Sequence, residues 1–192
     1  MAILVAALLS MTALPIAAQE SPAAQAVAVK GTATQPFELA VSLGKKILVA
    51  RVGPDTLRTY QVAVGAKSHP TPSGVFKIRH IVWNPSWRPP AKKWAKGKKA
   101  QPPGSEKNPM KVVKLFFKEP DYYIHGTAEE HSLGGAASHG CIRMAPSDVD
   151  ELARLVMENA GADKGDAWFE QVFKGASRDV RLSKGITIRI GL

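Results

Sequence analysis

From Phe37 onward, apolar residues fall on alternate positions, Phe37, Leu39, Val41 and Leu43; a turn follows at Gly44-Lys45, and Ile47, Val49 and Val52 continue on its far side. A period of two places such side chains on one face of a pleated strand, so the stretch can bury its apolar surface only as part of a sheet. Pattern and turn residues together predict a β-hairpin. Further strands are expected over Leu57 to Val64, with Tyr60, Val62 and Val64 on one face; over Val75 to Val82, after the turn Thr71-Pro-Ser-Gly74; over Val112 to Phe117; over Tyr122 to Ile124; and over Ile186 to Ile190. Strands spaced this regularly predict a mainly β fold with a few helices. One helix is expected after Ser147, where Asp150 three positions on resembles a capping box; Val149, Leu152, Ala153, Val156 and Met157 form its buried stripe and Gly161 its stop. A second, short helix is expected over Ala167 to Phe173.

A chain of 192 residues suits one domain with its own core. Before it, Ile3 to Leu9 and Met11 to Ala17 form an apolar run that is short for a membrane span. It reads as a secretory leader over residues 1–18, with cleavage after Ala18 or as late as Ala26, although no Lys or Arg precedes the apolar run. Residues 19–35, rich in Ala, Gln, Pro and Thr, read as a flexible linker, and residues 36–192 as the domain. Export would place the domain in the periplasm or cell wall with no transmembrane anchor after cleavage. The net charge of +10 favours anionic partners. No nucleic-acid signature accompanies it, so nucleic acid is not expected as a partner.

The chemistry is concentrated between Tyr123 and Met144, which holds the sole cysteine, Cys141, and three of the five histidines, His125, His131 and His139. A thiol is a strong nucleophile only as thiolate, and a neighbouring imidazole supplies the base that makes one. His125 ends an aromatic and aliphatic run that reads as a buried strand. His139 stands two residues before the sulfur and is the competing base. Gly140 permits backbone angles closed to other residues, and the N–H groups of Gly140 and Cys141 are candidate donors to an oxyanion. Arg143 offers a planar fork for a donor carboxylate, with a bracing salt bridge as the alternative. A rival chemistry is zinc bound by His125, His131, His139 and Cys141, whose spacing fits no familiar zinc pattern; no metal is expected.

Ile124-His-Gly-Thr127, Ser132-Leu-Gly134 and Ser138-His-Gly-Cys-Ile-Arg-Met144 resemble the signature of the L,D-transpeptidase catalytic domain, the cysteine enzymes that cross-link bacterial peptidoglycan. The resemblance extends to Thr71-Pro-Ser-Gly-Val-Phe-Lys-Ile78, Asn84-Pro-Ser-Trp-Arg-Pro-Pro90 and Asn108-Pro-Met110, and onward to about Ile190. It implies a β-sandwich catalytic domain whose site opens at one end, with no cofactor. The proline- and lysine-rich segment 83–110 would be a lid over the cleft, with Trp87 and Trp94 as candidate contacts; a solvated basic loop is the plainer reading of its lysines. Cys141 would attack a stem-peptide carbonyl next to a terminal D-alanine, and His125 would take the thiol proton. The imidazole would be oriented by the Gly126 carbonyl or by Ser138. An amine from a second stem peptide would resolve the thioester, or water would, giving a carboxypeptidase.

Gly126 and Thr127 are further candidates for substrate contact, and His139 for a structural or oxyanion-side role. Peptidoglycan stem peptides are the expected partner, a carbapenem adduct at Cys141 is implied, and a monomer is expected. A non-catalytic basic module binding wall polymer is the alternative from another class. Two departures stand out: Met110-Lys111 replaces the family's usual Leu-Gly, and the strand Ala40-Val-Ser-Leu-Gly44 lacks an Asp that relatives often carry.

Overall fold

A computed structural model describes residues 35–191. The expected leader, and the expected linker apart from its last residue, lie outside the described residues. The described residues form ten strands and two α-helices. These are β1 (Phe37–Ser42), β2 (Ile47–Val52), β3 (Asp55–Gln61), β4 (Val64–Gly65), β5 (Gly74–Trp83), β6 (Lys111–Lys118), β7 (Tyr122–Gly126), β8 (Ala136–Ser138), β9 (Ile142–Met144), α1 (Pro146–Asn159), α2 (Asp166–Phe173) and β10 (Arg178–Gly191). Eight strands make one sheet in the order β3-β2-β1-β10-β5-β6-β7-β9, and β4 and β8 pair separately.

The first hairpin forms, but β2 runs in the opposite phase to the one expected: Leu48 and Ala50 are buried, and Ile47, Val49 and Val52 are only partly so, because the register of the pair sets Leu48 and Ala50 opposite the buried residues of β1. Phe37, Leu39 and Val41 are buried on one face of β1, and their partners Ala50 and Leu48 on β2 are buried with them. Val113, Leu115 and Phe117 of β6 and Ile124 of β7 continue this apolar face. Helix α1 packs on β6 and β7, and its predicted stripe, Val149, Leu152, Ala153, Val156 and Met157, is wholly buried. Trp83 sits beneath both helices, its indole nitrogen 3.2 Å from the Met157 sulfur and its ring edge-on to Phe169. A side chain of this size buried in full carries a large share of the stabilisation from removing apolar surface from water.

The sheet curls until its two edges meet. Beyond β3, Ala63 pairs with Arg143 of β9: Ala63 N–H donates to the Arg143 carbonyl at 2.9 Å and Arg143 N–H to that of Ala63 at 2.8 Å. Tyr60 of β3 reaches across to Glu151 of α1 at 3.1 Å. Edge backbone that would otherwise be open to another chain is paired within the domain. The result is the expected mainly β, sandwich-like architecture.

Three further details differ from the sequence reading. The expected strand Leu57 to Val64 is broken, because residues 62 and 63 leave β3 to join Lys46 and Arg143 before β4 starts. Helix α1 begins at Pro146 with no side-chain cap, and the Ser147 hydroxyl contacts Asp148 in place of forming a box with Asp150; proline has no N–H to satisfy and a fixed φ, so it starts the helix directly. Strand β10 is far longer than Ile186 to Ile190, and an irregularity between Arg181 and Ile186 lets it follow β5 along nearly its whole length.

Candidate active site

The site is built on the parallel pair β7 and β9, in which Ile124 faces Ile142, His125 faces Arg143 and Gly126 faces Met144. Ile124, Ile142 and Met144 point into the core. Alternation therefore sends His125 and Arg143 to the opposite face, and Tyr123 and Cys141, two residues before them, line the same cavity. All four line one cavity of about 670 Å³. Gly126 admits no larger residue: a Cβ there would lie 2.7 Å from the Lys111 carbonyl oxygen and 3.1 Å from Val149 of α1.

His125 is buried, and its Nδ1 donates to the Gly126 carbonyl at 2.9 Å. Of the two groups expected to orient the imidazole, this carbonyl holds it. Burial lowers the His125 pKa to about 4, the Gly126 carbonyl opposes that fall, and the Arg143 and Lys114 cations reinforce it. The ring is thus neutral near pH 7, with Nε2 free to accept a proton. The half-buried Cys141 donates its thiol to the Asp121 carbonyl at 3.3 Å. Burial pushes its pKa up, while the Tyr123 backbone N–H and hydroxyl, Lys114 and Arg143 pull it down.

Ser138 is buried in the turn that carries Cys141. Its hydroxyl donates to the Cys141 carbonyl at 2.5 Å and accepts the Gly140 N–H at 3.0 Å. The Gly140 amide, one of the two expected oxyanion donors, is thus engaged by Ser138. Gly140 has φ +110°, and a Cβ would lie 2.8 Å from the Tyr122 ring, so it shapes the turn. His139 also lines the cavity, and its ring stacks on Trp94 at 4.0 Å and meets His69 edge-on at 4.9 Å.

The segment between β5 and β6 borders the cavity. Trp87 is buried and lines it, as do Trp94, Lys92 and Lys98. Lys93, Lys96 and Lys99 do not line it and are exposed, so the plainer reading holds for those three. Asn108 ties the segment down by donating to the Pro85 and Pro102 carbonyls at 2.8 and 3.0 Å. Six cations, Arg88, Lys92, Lys98, Lys107, Lys114 and Arg143, line the cavity against Glu106, Asp121 and Glu129.

Arg143 forms an ion pair with Glu129 at 2.6 Å, the bracing contact of the two alternatives. Thr127 lines the cavity, and its hydroxyl accepts the Glu129 N–H at 3.1 Å, within its own loop. Ser132 likewise bonds the Glu129 carbonyl. The zinc arrangement would need His131, which lies exposed and outside the cavity; among the described residues no group of three or more metal-binding side chains is gathered. No helix among the described residues is long and apolar enough to cross a membrane.

Among the cavity residues missed in the sequence are Lys114 and Tyr123. Between Lys111 and Lys114 the register of β6 against β7 slips, with Val112 at φ +64°, so that Lys114 lands opposite His125. Its Nζ donates to the Ser86 carbonyl at 3.1 Å and stands 5.0 Å from the centre of the Tyr123 ring. The one available signal was the lone lysine in an otherwise apolar Val-Val-Lys-Leu-Phe-Phe run.

Comparison with known proteins agrees with this geometry. YkuD of Bacillus subtilis, assigned by name to the L,D-transpeptidases, is 34% identical over 123 residues, 64% of this chain and 62% of that protein. The matching stretch thus spans less than two thirds of that relative. The catalytic domain of the E. faecium L,D-transpeptidase, solved by NMR, superposes with a TM-score of 0.52 at 15% identity, over 83% of this chain and 99% of that one. L,D-transpeptidase 3 from Mycobacterium tuberculosis, in complex with a faropenem-derived adduct, gives 0.51 at 11% identity over 81% and 60% of the two chains. These last two speak to the fold. The profile of the YkuD family, the L,D-transpeptidase catalytic domain, matches residues 36–172, and on that match the chain belongs to the L,D-transpeptidase catalytic domain family, a family of enzymes.

Proposed function

We propose that this protein transfers peptidoglycan stem-peptide acyl groups through a thioester on Cys141. The observation that carries this reading is that a half-buried thiol just before β9 and a buried neutral imidazole on β7, the strand parallel to it, line the same cation-rich cavity. The Cys141 proton passes to His125 Nε2 as the sulfur attacks the carbonyl preceding a terminal D-alanine. The Cys141 N–H receives the oxyanion. Collapse breaks the C–N bond, and His125 returns the proton to the departing D-alanine amine. An acceptor amine then attacks the thioester, gives its proton to His125 and frees the sulfur.

The cavity suits the substrate class. Stem peptides carry several carboxylates, and six lining cations exceed the three acidic residues beside them. The segment bearing Trp87 and Trp94 acts as the lid, with the indole nitrogen of Trp94, buried without a hydrogen-bond partner among the described residues, offered to a peptide carbonyl. Action on peptidoglycan requires export, in keeping with the apolar leader over residues 1–18. A β-lactam would acylate the same sulfur, as the faropenem-derived adduct of the mycobacterial relative suggests.

The test is incubation of the protein with a disaccharide-tetrapeptide and a second stem peptide, followed by mass analysis. Loss of D-alanine with formation of a cross-linked dimer is expected, and neither from Cys141→Ala. Tripeptide without dimer would assign water as acceptor. An unchanged tetrapeptide with wild-type protein would overturn the proposal.

A further inference from the structure

A cysteine nucleophile paired with histidine commonly owes its thiolate to the imidazolium beside it. Here that source is weak, because buried His125 is neutral above about pH 4. Positive charge for the sulfur has to come from elsewhere. The groups that face Cys141 are Lys114 on β6, Tyr123 and His125 on β7, Arg143 on β9, and Asp121 in the turn between β6 and β7, which presents its carbonyl. His139, in the turn before the nucleophile, is engaged with Trp94. The Asp121 carboxylate is paired with Lys92 at 3.2 Å, and the Arg143 charge is partly neutralised by Glu129 at 2.6 Å.

Lys114 stands apart. It is half-buried, and among the described residues no carboxylate pairs with it; its Nζ has only the Ser86 carbonyl, at 3.1 Å, and the face of Tyr123. An ammonium held out of water without a counter-ion is costly unless an anion forms beside it. Burial lowers its pKa and the Cys141 thiolate raises it again. Tyr123 is fixed between Phe116 at 5.1 Å and His125 at 5.6 Å, with its ring under the ammonium and its hydroxyl facing the sulfur.

We propose that Tyr123 and Lys114 form a thiolate-holding pair: Tyr123 is a further catalytic residue whose hydroxyl donates to Sγ as the thiol proton leaves for His125 Nε2, and Lys114 is a positioning residue that fixes the Tyr123 ring and supplies the compensating charge. No bond to Tyr123 or Lys114 forms or breaks, and both keep their protons throughout. The inference rests on the cysteine chemistry proposed above and adds to it how the sulfur is activated. It also explains the slipped register of β6, which sets the ammonium opposite His125.

The test is the rate of Cys141 alkylation by iodoacetamide across pH, which needs no wall peptide and reports the thiolate directly. Tyr123→Phe and Lys114→Met are each expected to move the midpoint of the profile up by about one unit, lowering the rate at neutral pH about tenfold. Lys114→Arg, which keeps the charge, should restore most of the loss. Melting curves show whether each variant is folded, and the arginine variant reports on charge if the methionine one is not. Profiles of Tyr123→Phe and Lys114→Met that superimpose on wild type overturn the proposal, as does a shift in only one of them. If wild type shows the perturbed profile but turns over no stem peptide, the proposed function fails while the activation of the thiol stands.

Discussion

His125 Nδ1 donates to the carbonyl oxygen of Gly126, 2.9 Å away. A carbonyl only accepts, so this contact fixes the proton on Nδ1 and leaves Nε2 as the basic atom. The bond also ties the base to the backbone of its own strand, which Gly126 lets pass close under α1.

The first prediction concerns acid. The folded protein protonates His125 only near pH 4, whereas the unfolded chain does so near 6.5. Stability from the neutral buried imidazole is therefore complete above about pH 6.5 and is lost as pH falls from there towards 4, by about 3 kcal/mol at about 1.4 per unit. Denaturant melts of wild type and His125→Gln over that range should show a smaller loss for the variant; parallel losses would refute the assignment.

A second prediction separates the two histidines. His125→Asn should slow acylation of Cys141 by a penem by at least about 100-fold, the usual contribution of a general base. His139→Asn, which disturbs a ring stack with Trp94, should change it by less than about tenfold, the equivalent of 1.4 kcal/mol. The mass shift on the protein against time reads both, and equal losses would reassign the base.

Ser138→Ala removes the acceptor of the Gly140 N–H and the donor to the Cys141 carbonyl. Leaving such groups buried and unpaired costs about 1–3 kcal/mol each. The melting temperature should fall by several degrees, at about 2–4 °C per kcal/mol for a chain of this size. An unchanged melt would mean that the turn stands without its hydroxyl.

Gly126→Ala adds one methyl where the Lys111 carbonyl lies 2.7 Å away. Overpacking of this kind costs about 1–3 kcal/mol, and relief by parting β6 from β7 would carry Lys114 away from His125. Calorimetry should show lower stability, and penem acylation should slow in the folded fraction. A neutral effect on both would contradict the close approach.

Glu129→Gln tests the ion pair with Arg143, which spans a largely exposed carboxylate. Such pairs contribute about 0–1 kcal/mol, so the melt should scarcely move. With Arg143 released, the KM for a carboxylate-bearing donor peptide should fall; a rise would show that the brace is needed for binding.

Much of this was legible in the residues. The alternation of Phe37, Leu39 and Val41 and the helical stripe from Val149 to Met157 are local patterns, and local patterns survive folding. The proximity of Cys141 to His125 was legible through a motif. Lys114 and Tyr123 were not, since their meeting depends on a slip in strand register around Val112 that no periodicity records. The Ala63 to Arg143 closure was hidden for a related reason: it joins strand edges eighty residues apart. Ser138 was flagged for orienting the imidazole and instead holds the nucleophile's turn, a choice of hydrogen-bond geometry that sequence leaves open.

The seam where Ala63 meets β9 has one more consequence. Cys141 precedes β9, the edge strand of the sheet, and Lys114 of β6 and Tyr123 of β7 line the same cavity. On the proposed chemistry, an incompletely folded copy holds its thiol without the Lys114 and Tyr123 partners that the closed sheet sets beside it.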